Sequence, residues 1–409
     1  MAIISAFRAL RPAKDLASRV ASLPYDVLNT AEAKLVAENN PYSFLHITKS
    51  EIDLPEGTDI HSEGVYRKAA DNLFIFQNHQ ILIRDTEPHY YIYELSMAGR
   101  KQTGLVCVSS ITDYENDIIK KHELTRPEKE QDRIRHIRTT GAQTGNVFLA
   151  YRSNETLSNL IRQWKETHPT EYDFVADDGI GHRVWVVSES QSIEQITSIF
   201  EKHIPFTYIA DGHHRAASAA KIKNALGEKT TEAAGYFLTT LFPSNELHIM
   251  DYNRVVKDLN GLNTESFLHK LNKDFRVEKC ATAYSPDRLH NFGMYLAGQW
   301  YLLQSKENSF RNDPIGILDV SILQENILTP ILGIQDPRTD NRVDFVGGIR
   351  GLGELEKRVD GGQMEVAFSL YPVSMDQLFD IADRGDIMPP KSTWFEPKLR
   401  DGLLTHLIQ

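Results

Sequence analysis

The chain contains very few cysteines and no long hydrophobic run. Cys107 and Cys280 are its two cysteines, and because they form no Cys-x-x-Cys pair, neither a disulfide scaffold nor a thiol-redox motif is expected. No stretch of about 18 apolar residues occurs, so no membrane-spanning helix is predicted. The first residues, from Met1 to Arg11, lack the apolar core and the cleavage site of a signal peptide. These absences make the reducing cytoplasm the expected location.

The chain also lacks an excess of basic residues, since 45 Lys and Arg stand against 56 Asp and Glu, a net charge of −11. A net negative charge gives no overall attraction to nucleic acid or to an anionic membrane. We therefore expect neither partner, and expect a small-molecule ligand in a local pocket; a homodimer is left open. The length of 409 residues predicts two or three domains. The pattern of elements changes near Asp251, which predicts an α/β domain over 1–250 and a C-terminal α+β domain over 251–409.

The segment from Phe206 to Ala220 carries the densest group of chemically active side chains. β-Branched and aromatic residues up to Ile209 predict a strand, and the small residues from Ala216 onward predict a helix. Gly212 between them permits a sharp turn, and Asp211 is expected to cap the helix. The sequence therefore predicts a strand, a glycine turn and the start of a helix.

The first turn of that helix is predicted to bind an anion. His213, His214 and Arg215 fall in this turn, beside unpaired backbone N–H groups and the positive end of the helix dipole. A phosphate or a carboxylate is the ligand that such a turn suits. The alternative is a structural role, with a plain cap at Asp211 and a buried histidine, because cations at a helix start are mildly unfavourable.

A second polar run precedes a helix that is predicted to begin at Pro127, with Thr125 as its cap. His122 and Glu123 are adjacent in this run and could supply a general base and its orienting partner. The alternative is a solvated surface loop. Arg133, farther along the helix, is either a ligand-binding cation or a partner of neighbouring side chains.

A metal site built by the protein alone is only weakly indicated. His213 and His214 are adjacent, so on a helix their side chains diverge by about 100°, and no His-Glu-x-x-His motif occurs. Magnesium held by one or two carboxylates and by substrate phosphates is the simpler expectation. The glycine run from Gly347 to Gly353 lacks the ending of a P-loop and predicts a turn. Lys391 and Lys398, in the C-terminal tail, either reach a phosphate or belong to a tail that simply packs through Trp394 and Phe395.

Several short motifs follow one another along the chain: Pro24-Tyr25-Asp26-Val27, Asn40-Pro41-Tyr42-Ser43-Phe44, His122-Glu123-Leu124-Thr125, Lys129-Glu130-Gln131-Asp132-Arg133, Ile209-Ala210-Asp211-Gly212-His213-His214-Arg215 and Met388-Pro389-Pro390-Lys391-Ser392-Thr393-Trp394-Phe395. In this order they resemble the bacterial and archaeal domain-of-unknown-function family number 1015, from about residue 7 to 404. One departure is Asn253 before Arg254, where the resemblance leads us to expect a histidine.

The Asp-Gly-His-His-Arg segment is similar to the phosphate-binding motif of the ParB and sulfiredoxin superfamily, whose members bind nucleotides at this turn and include kinases of free serine. The resemblance implies an α/β (α+β) fold, with a mixed-sheet core of that type, large insertions and a C-terminal α+β region. It also implies that Asp211 to Arg215 holds a nucleotide phosphate. Sulfiredoxins use a cysteine in this loop, which is absent here, and the acidic charge argues against a ParB-like role on DNA.

The leading hypothesis is a small-molecule kinase that transfers phosphate from ATP or ADP to a hydroxyl metabolite, with free L-serine as the best candidate acceptor and Mg²⁺ as the metal. Glu123 would be the base, with His122 beside it. Asp211 would orient a histidine or bind magnesium, and His214 would also act in catalysis. The phosphate-binding residues would be Gly212, His213, His214, Arg215, Arg133 and Lys391. A nucleotide-binding regulatory switch and a metal-dependent hydrolase are the alternatives.

Overall fold

The computed structural model describes residues 1–227 and 231–409 and divides into two compact units. Unit 1 comprises Met1–Leu247 and Pro397–Gln409, and unit 2 comprises His248–Glu396. The division expected near residue 250 differs from this one in the final segment, because the chain leaves unit 2 and ends in unit 1.

Unit 1 contains both short and long strands, and most of them belong to one sheet. Its strands before the chain enters unit 2 are β1 (Ile4–Ser5), β2 (Leu10–Pro12), β3 (Leu82–Arg84), β4 (Tyr90–Met97), β5 (Arg100–Ser110), β6 (Ile119–Lys120), β7 (Ala142–Gln143), β8 (Val147–Tyr151), β9 (Tyr172–Val175), β10 (Gly181–Val187), β11 (Thr207–Asp211) and β12 (Tyr236–Pro243). Its helices are α1 (Ala17–Val20), α2 (Thr30–Ala37), α3 (Leu45–Thr48), α4 (Glu63–Asn78), α5 (Ile111–Glu115), α6 (Pro127–Thr140), α7 (Glu155–Thr167), α8 (Ser190–His203) and α9 (His213–Leu226).

A nine-stranded mixed sheet forms the centre of unit 1, in the order β6-β11-β8-β12-β5-β4-β10-β9, with β1 beside β5. The pairs β6–β11 and β8–β12 are parallel, and β11 runs antiparallel to β8. Every residue of β8 is buried, which explains why this strand is a continuous apolar run rather than an alternating one. The mixed sheet with helices confirms the predicted α/β class.

Two amphipathic helices cover part of this sheet. On α7, Leu157, Ile161 and Trp164 recur at the spacing of one helical face, and all three join the main core cluster. On α8, Ile196 and Phe200 do the same. Polar residues occupy the opposite faces, so the spacing of the apolar residues along each helix sets which face packs against the core.

Unit 2 is built on a six-stranded antiparallel sheet whose strands lie in the order β15 (Phe275–Cys280), β17 (Gln299–Ser305), β16 (Asn291–Leu296), β19 (Val366–Leu370), β14 (Tyr252–Val256) and β18 (Val343–Gly347). The glycine run predicted to be a turn forms a 3₁₀ turn, Gly348–Arg350, that leads into a helix. The strands of this unit are β13 (Ile249–Met250), β14 (Tyr252–Val256), β15 (Phe275–Cys280), β16 (Asn291–Leu296), β17 (Gln299–Ser305), β18 (Val343–Gly347), β19 (Val366–Leu370) and β20 (Trp394–Phe395). Its helices are α10 (Thr264–Leu271), α11 (Asp319–Leu323), α12 (Leu352–Asp360) and α13 (Met375–Asp383), and a π turn follows α11 over Gln324–Leu328.

The final segment is integrated into unit 1 at several points. Strand β21 (His406–Leu407) pairs with β7, and isolated bridges join Thr405 to Leu10 and Asp401 to Ser22. Nothing in the described ranges forms a helix that is both long and apolar enough to cross a membrane.

Candidate functional site

The turn between β11 and α9 depends on a glycine. Gly212 has φ 97° and occupies the position before the first helical residue. A Cβ atom there would lie 3.1 Å from Nε of Arg215 and 3.4 Å from Cα of Val147, so both the backbone conformation and the close neighbours disfavour a side chain. A register irregularity between Ile209 and Asp211 precedes the turn and brings β11 to its end.

The expectation that Asp211 caps α9 is wrong. Asp211 is the last residue of β11, and over the described part of the chain no side chain caps the start of this helix. The left-handed turn at Gly212 separates Asp211 from the helix, and its carboxylate instead forms ion pairs. The first N–H groups of any helix have no carbonyl one turn earlier to which they can donate. In this 14-residue helix no side chain of the described residues replaces that acceptor, so these N–H groups are available to a ligand.

Two cations face the carboxylate of Asp211. Nζ of Lys398 lies 3.2 Å from Oδ2, and Nη2 of Arg215 lies 3.6 Å from Oδ1. Burial by itself would raise the pKa of Asp211, but Lys398 and Arg215 outweigh it and hold that pKa well below its usual range. Asp211 is therefore ionised at neutral pH.

Arg215 is a fixed cation at the base of the turn. Its side chain is buried, Nη1 donates to the carbonyl of Asn146, and Nη2 lies 3.6 Å from Oδ2 of Asp26. Burial would lower the pKa of Arg215, but the carboxylates of Asp26 and Asp211 raise it further, so the charge persists. Its buried Nε–H has no acceptor among the residues that the structure describes. The turn thus combines a permanent charge with an unused donor.

Asp401 is a buried carboxyl group in the same neighbourhood. A Cβ atom placed on Gly145 would lie 3.2 Å from Cδ of Arg215 and 3.6 Å from Oδ1 of Asp401. In the described structure no side chain donates a hydrogen bond to Asp401, and the backbone N–H of Tyr25 is the donor that approaches its carboxyl. Burial raises the pKa of Asp401 to about 7, against the opposing effect of Arg215.

Both histidines of the turn accept hydrogen bonds from one loop. The backbone N–H of His122 donates to Nε2 of His213 at 3.5 Å, and the backbone N–H of Arg126 donates to Nε2 of His214 at 3.0 Å. The ring of His122 stands edge-on to that of His213, with ring centres 4.6 Å apart. An imidazole nitrogen that accepts a hydrogen bond carries no proton, so these Nε2 atoms hold the loop and are not donors to a phosphate.

Burial keeps the histidines of this cluster neutral. It lowers the pKa of His122 to about 4, and burial together with the neighbouring His122 lowers the pKa of His213 well below its usual value. Burial also lowers the pKa of His214. The positive charge at the turn therefore comes from Arg215 and Lys398.

Glu123 reaches the edge of this cluster. Its Oε2 lies 3.8 Å from Nδ1 of His213, and its side chain is 49% exposed. Because Nε2 of His213 is an acceptor, Nδ1 carries the proton of the neutral ring and points to an acceptor of suitable charge. A half-exposed carboxylate beside a buried imidazole can take a proton from a ligand that approaches from solvent.

Helix α6, which follows this loop, begins at Pro127 as predicted, but the expectation for its cap is wrong. Arg126 occupies the capping position, and its side chain makes no capping bond. Thr125 bonds to the side chain of Glu130, which also pairs with Lys221 of α9. Glu130 of α6 therefore contacts both α9, through Lys221, and the loop that precedes α6, through Thr125.

Arg133 and Arg215 line one small cavity. Nη2 of Arg133 lies 2.6 Å from Oδ2 of Asp132, and its guanidinium lies 3.8 Å from the centre of the Tyr25 ring. The cavity, of about 20 Å³, has Tyr25, Gly145 and both arginines among its walls and is large enough for about one water molecule. Arg133 therefore supports the site from below the turn.

Lys391 is the one predicted site residue that belongs to unit 2. Its Nζ lies 5.9 Å from the centre of the Tyr252 ring, and its carbonyl accepts a hydrogen bond from Arg254. The other predicted residues all lie in unit 1 and, Arg133 included, belong to the turn, the loop or the cavity described above.

Two residues of the site, Asp26 and Asp401, went unpredicted. Asp26 lies in one of the motifs that carry the family resemblance, so a closer reading of that motif could have found it. Lys398, which the sequence offered with Lys391 as a cation for a phosphate, lies 3.2 Å from the carboxylate of Asp211. Asp401 lies in the final segment and has no local signal. Within the described ranges, no three His, Cys, Asp or Glu residues are grouped so that they could hold a metal ion.

The chain belongs to the family described as "Protein of unknown function (DUF1015)", whose model matches residues 4–321. No curated protein matches this sequence.

Solved structures resemble the chain distantly. A conserved hypothetical protein from Pyrococcus furiosus has 12% identity and a TM-score of 0.35, over 70% of this chain and 90% of its own. A free serine kinase in complex with AMP has 12% identity and a TM-score of 0.35, over 70% and 89%. SbnI with a C-terminal truncation, from Staphylococcus aureus, has 11% identity and a TM-score of 0.38, over 72% and 85%. At these TM-scores the likenesses assign neither a substrate nor an activity to this chain.

Proposed function

We propose that this protein is a phosphotransferase that binds ATP or ADP at the β11–α9 turn and transfers a phosphoryl group to the hydroxyl of a small metabolite, with free L-serine as the first acceptor to test. The observation that carries the proposal is the uncapped start of α9 with the fixed cation Arg215 in its first turn. Phosphoryl transfer depends mainly on positioning and on charge neutralisation, which such a turn provides.

In this proposal the phosphates contact the N–H groups of the first turn of α9. Arg215, with its unused Nε–H, and Lys398 neutralise their charge. His213 and His214 serve as positioning residues, because their Nε2 atoms hold the loop that carries Glu123. Arg133 supports the site from the cavity below.

Glu123 is the proposed general base. It is half-exposed and stands beside the N–H side of His213, so it can approach a hydroxyl that enters from solvent. A positioned base contributes on the order of 100-fold to 10,000-fold to a rate. Magnesium would arrive with the nucleotide, since Mg²⁺ needs only one or two carboxylates besides phosphates. Asp26 and Asp211, which face the same guanidinium, are the candidates.

The test is to incubate the purified protein with Mg²⁺, ATP or ADP and a set of hydroxyl metabolites that includes L-serine, and to detect phosphorylated products by mass spectrometry. We expect a product, a loss of turnover on the order of 100-fold or more in Glu123→Gln, and unchanged nucleotide affinity in that variant. Glu155→Gln, at the exposed start of α7, is the matched control and should retain full turnover.

The other outcomes separate the alternatives. Nucleotide binding without any product would contradict the kinase and favour a regulatory switch read by a partner. Release of phosphate without an acceptor, abolished by a chelator, would favour a hydrolase. No nucleotide binding would overturn the phosphate role of the turn.

A further inference from the structure

Unit 2 contains a pocket lined by a buried charge that has no counter-ion among the residues described by the structure. The pocket has a volume of about 370 Å³, in the range of small-molecule sites. Arg254, from the middle of β14, lines it and is only 2% exposed. Segments distant in sequence form the other walls: α11, the π turn after it, the loop at 335–338 and the two prolines at 389–390.

The partners of Arg254 are all uncharged. Its Nη1 donates to the carbonyl of Tyr252, and its Nη2 donates to the carbonyls of Pro390 at 3.2 Å and Lys391 at 2.9 Å. The guanidinium also lies 4.9 Å from the centre of the Phe345 ring. A guanidinium has five N–H donors, so these contacts leave part of it unused. Across the described residues, Arg254 forms no ion pair.

A buried charge without a partner is costly, and a buried charged group that lines a pocket is a candidate for binding a ligand of opposite charge. Burial lowers the pKa of Arg254 to about 10, so the group is still cationic at neutral pH. The alternative is a purely structural role, in which Arg254 only anchors the Pro390–Lys391 segment to β14 through its hydrogen bonds. That role would not require the guanidinium to line a pocket of this size.

The remaining wall residues limit the chemistry of the ligand. Arg338 and Asp336 both line the pocket, and they pair with each other at 2.8 Å, which leaves one positive charge in excess. Val320, Leu328 and the prolines supply apolar surface, and Gln324 and Gln335 supply amides. One excess charge together with apolar walls suits a singly charged organic anion better than a phosphate dianion.

We propose that unit 2 is a binding module for a small organic carboxylate, whose carboxylate pairs with Arg254 and whose carbon skeleton packs against Val320, Leu328 and Pro389. The residues of this site all belong to unit 2 and those of the proposed phosphotransfer site all belong to unit 1, so the two proposals can be tested independently.

The test measures binding by the 409-residue chain with isothermal titration calorimetry and ligand-observed NMR. The probes are butyrate, its neutral isostere butyramide and inorganic phosphate. We expect butyrate to bind and butyramide not to bind. Arg254→Met, which removes the charge but keeps the length of the side chain, should weaken butyrate binding tenfold or more.

Two further variants keep the test decisive if Arg254→Met folds poorly. Gln335→Trp changes an exposed wall residue and should block the pocket, with a similar loss of butyrate binding.

Arg276→Met removes an exposed arginine of β15 and should leave binding unchanged. Absence of butyrate binding to the unaltered protein, or equal binding by Gln335→Trp, would overturn the proposal and leave Arg254 a structural residue. Binding of phosphate but not of butyrate would overturn the assignment of the ligand class.

Discussion

At the scale of single residues, the buried ionisable groups of unit 1 are in unequal states. Lys398 and Arg215 keep Asp211 ionised, whereas no side chain of the described structure donates a hydrogen bond to the carboxyl of Asp401. Burial raises the pKa of Asp401 to about 7, so this group takes up a proton near neutral pH. The two carboxyl groups close to Arg215 therefore have pKa values shifted in opposite directions, and perturbed pKa values are common in catalytic clefts.

The stability of the protein should depend on pH through Asp401. Because its pKa is higher in the folded than in the unfolded chain, the folded state binds this proton more tightly, and the free energy of unfolding falls as pH rises from about 4 to about 7. Asp401→Asn is neutral throughout, so relative to the unaltered protein it should gain stability over that range, by about 4 kcal/mol at most.

Urea unfolding of both proteins at pH 4.5 and pH 8 measures this difference. Asp71→Asn, on the exposed side of α4, is the control and should follow the unaltered protein. Parallel pH curves for Asp401→Asn would show that Asp401 titrates normally.

At the scale of elements, the strand–turn–helix unit of β11 and α9 determines where the charges lie. Gly212 is needed both for its left-handed backbone and because Arg215 and Val147 fill the space that a Cβ would occupy. The helix then begins without a cap, and its two histidines hold the loop that precedes α6. One turn thus fixes the positions of a cation, a set of free N–H groups and a carboxylate.

Gly212→Ala should destabilise the protein more than the same change at another left-handed glycine. We expect a loss of about 1 kcal/mol for the backbone strain and about 1–2 kcal/mol more for the contact with Arg215. Gly57→Ala is the matched control, because Gly57 has φ 83° and no atom of the described residues lies within 4 Å of the place that a Cβ would take there. Equal shifts of the two denaturation midpoints would mean that Arg215 moves aside without cost.

At the scale of the whole molecule, the final segment Pro397–Gln409 completes unit 1. It contributes Lys398 and Asp401 to the site, and Arg400 pairs with Asp178 and donates to Nε2 of the buried His182 at 3.3 Å. Four of its apolar side chains are buried: Leu399, Leu403, Leu404 and Ile408. The site therefore depends on residues from both ends of the sequence of unit 1.

Truncation after Glu396 should unfold unit 1 or leave it insoluble. Burial of an aliphatic side chain is worth about 1.5–3 kcal/mol, so the loss of the buried side chains of this segment approaches the total stability of a typical domain. Deletion of the exposed Gln409 alone is the control and should leave the melting temperature unchanged. A truncated chain that melts like the full one would show that the segment adds no stability.

Sequence reasoning succeeded where the signal is local. The strand, glycine and helix around Gly212 follow from residue types within a few positions, and so does the start of α6 at Pro127. It failed where the partner is distant: the segment over 232–242 fits either a helix or a strand by its pattern, and only pairing with β5 and β8 makes its larger part the strand β12. Likewise, no pattern near Asp211 shows that Lys398 pairs with it rather than that Asp211 caps α9.

The sequence by itself determined the α/β class, the family and the turn that carries the proposed phosphate site, because hydrophobic period, glycine and helix propensity act over short distances. Only the tertiary structure decided which atoms face that turn. Asp26, Arg215 and the pair of Lys398 and Asp401 come from three separate segments, and their charges interact because folding brings them within a few ångströms and removes water. The same reason explains the buried Arg254, whose missing counter-charge is visible only once its neighbours are known.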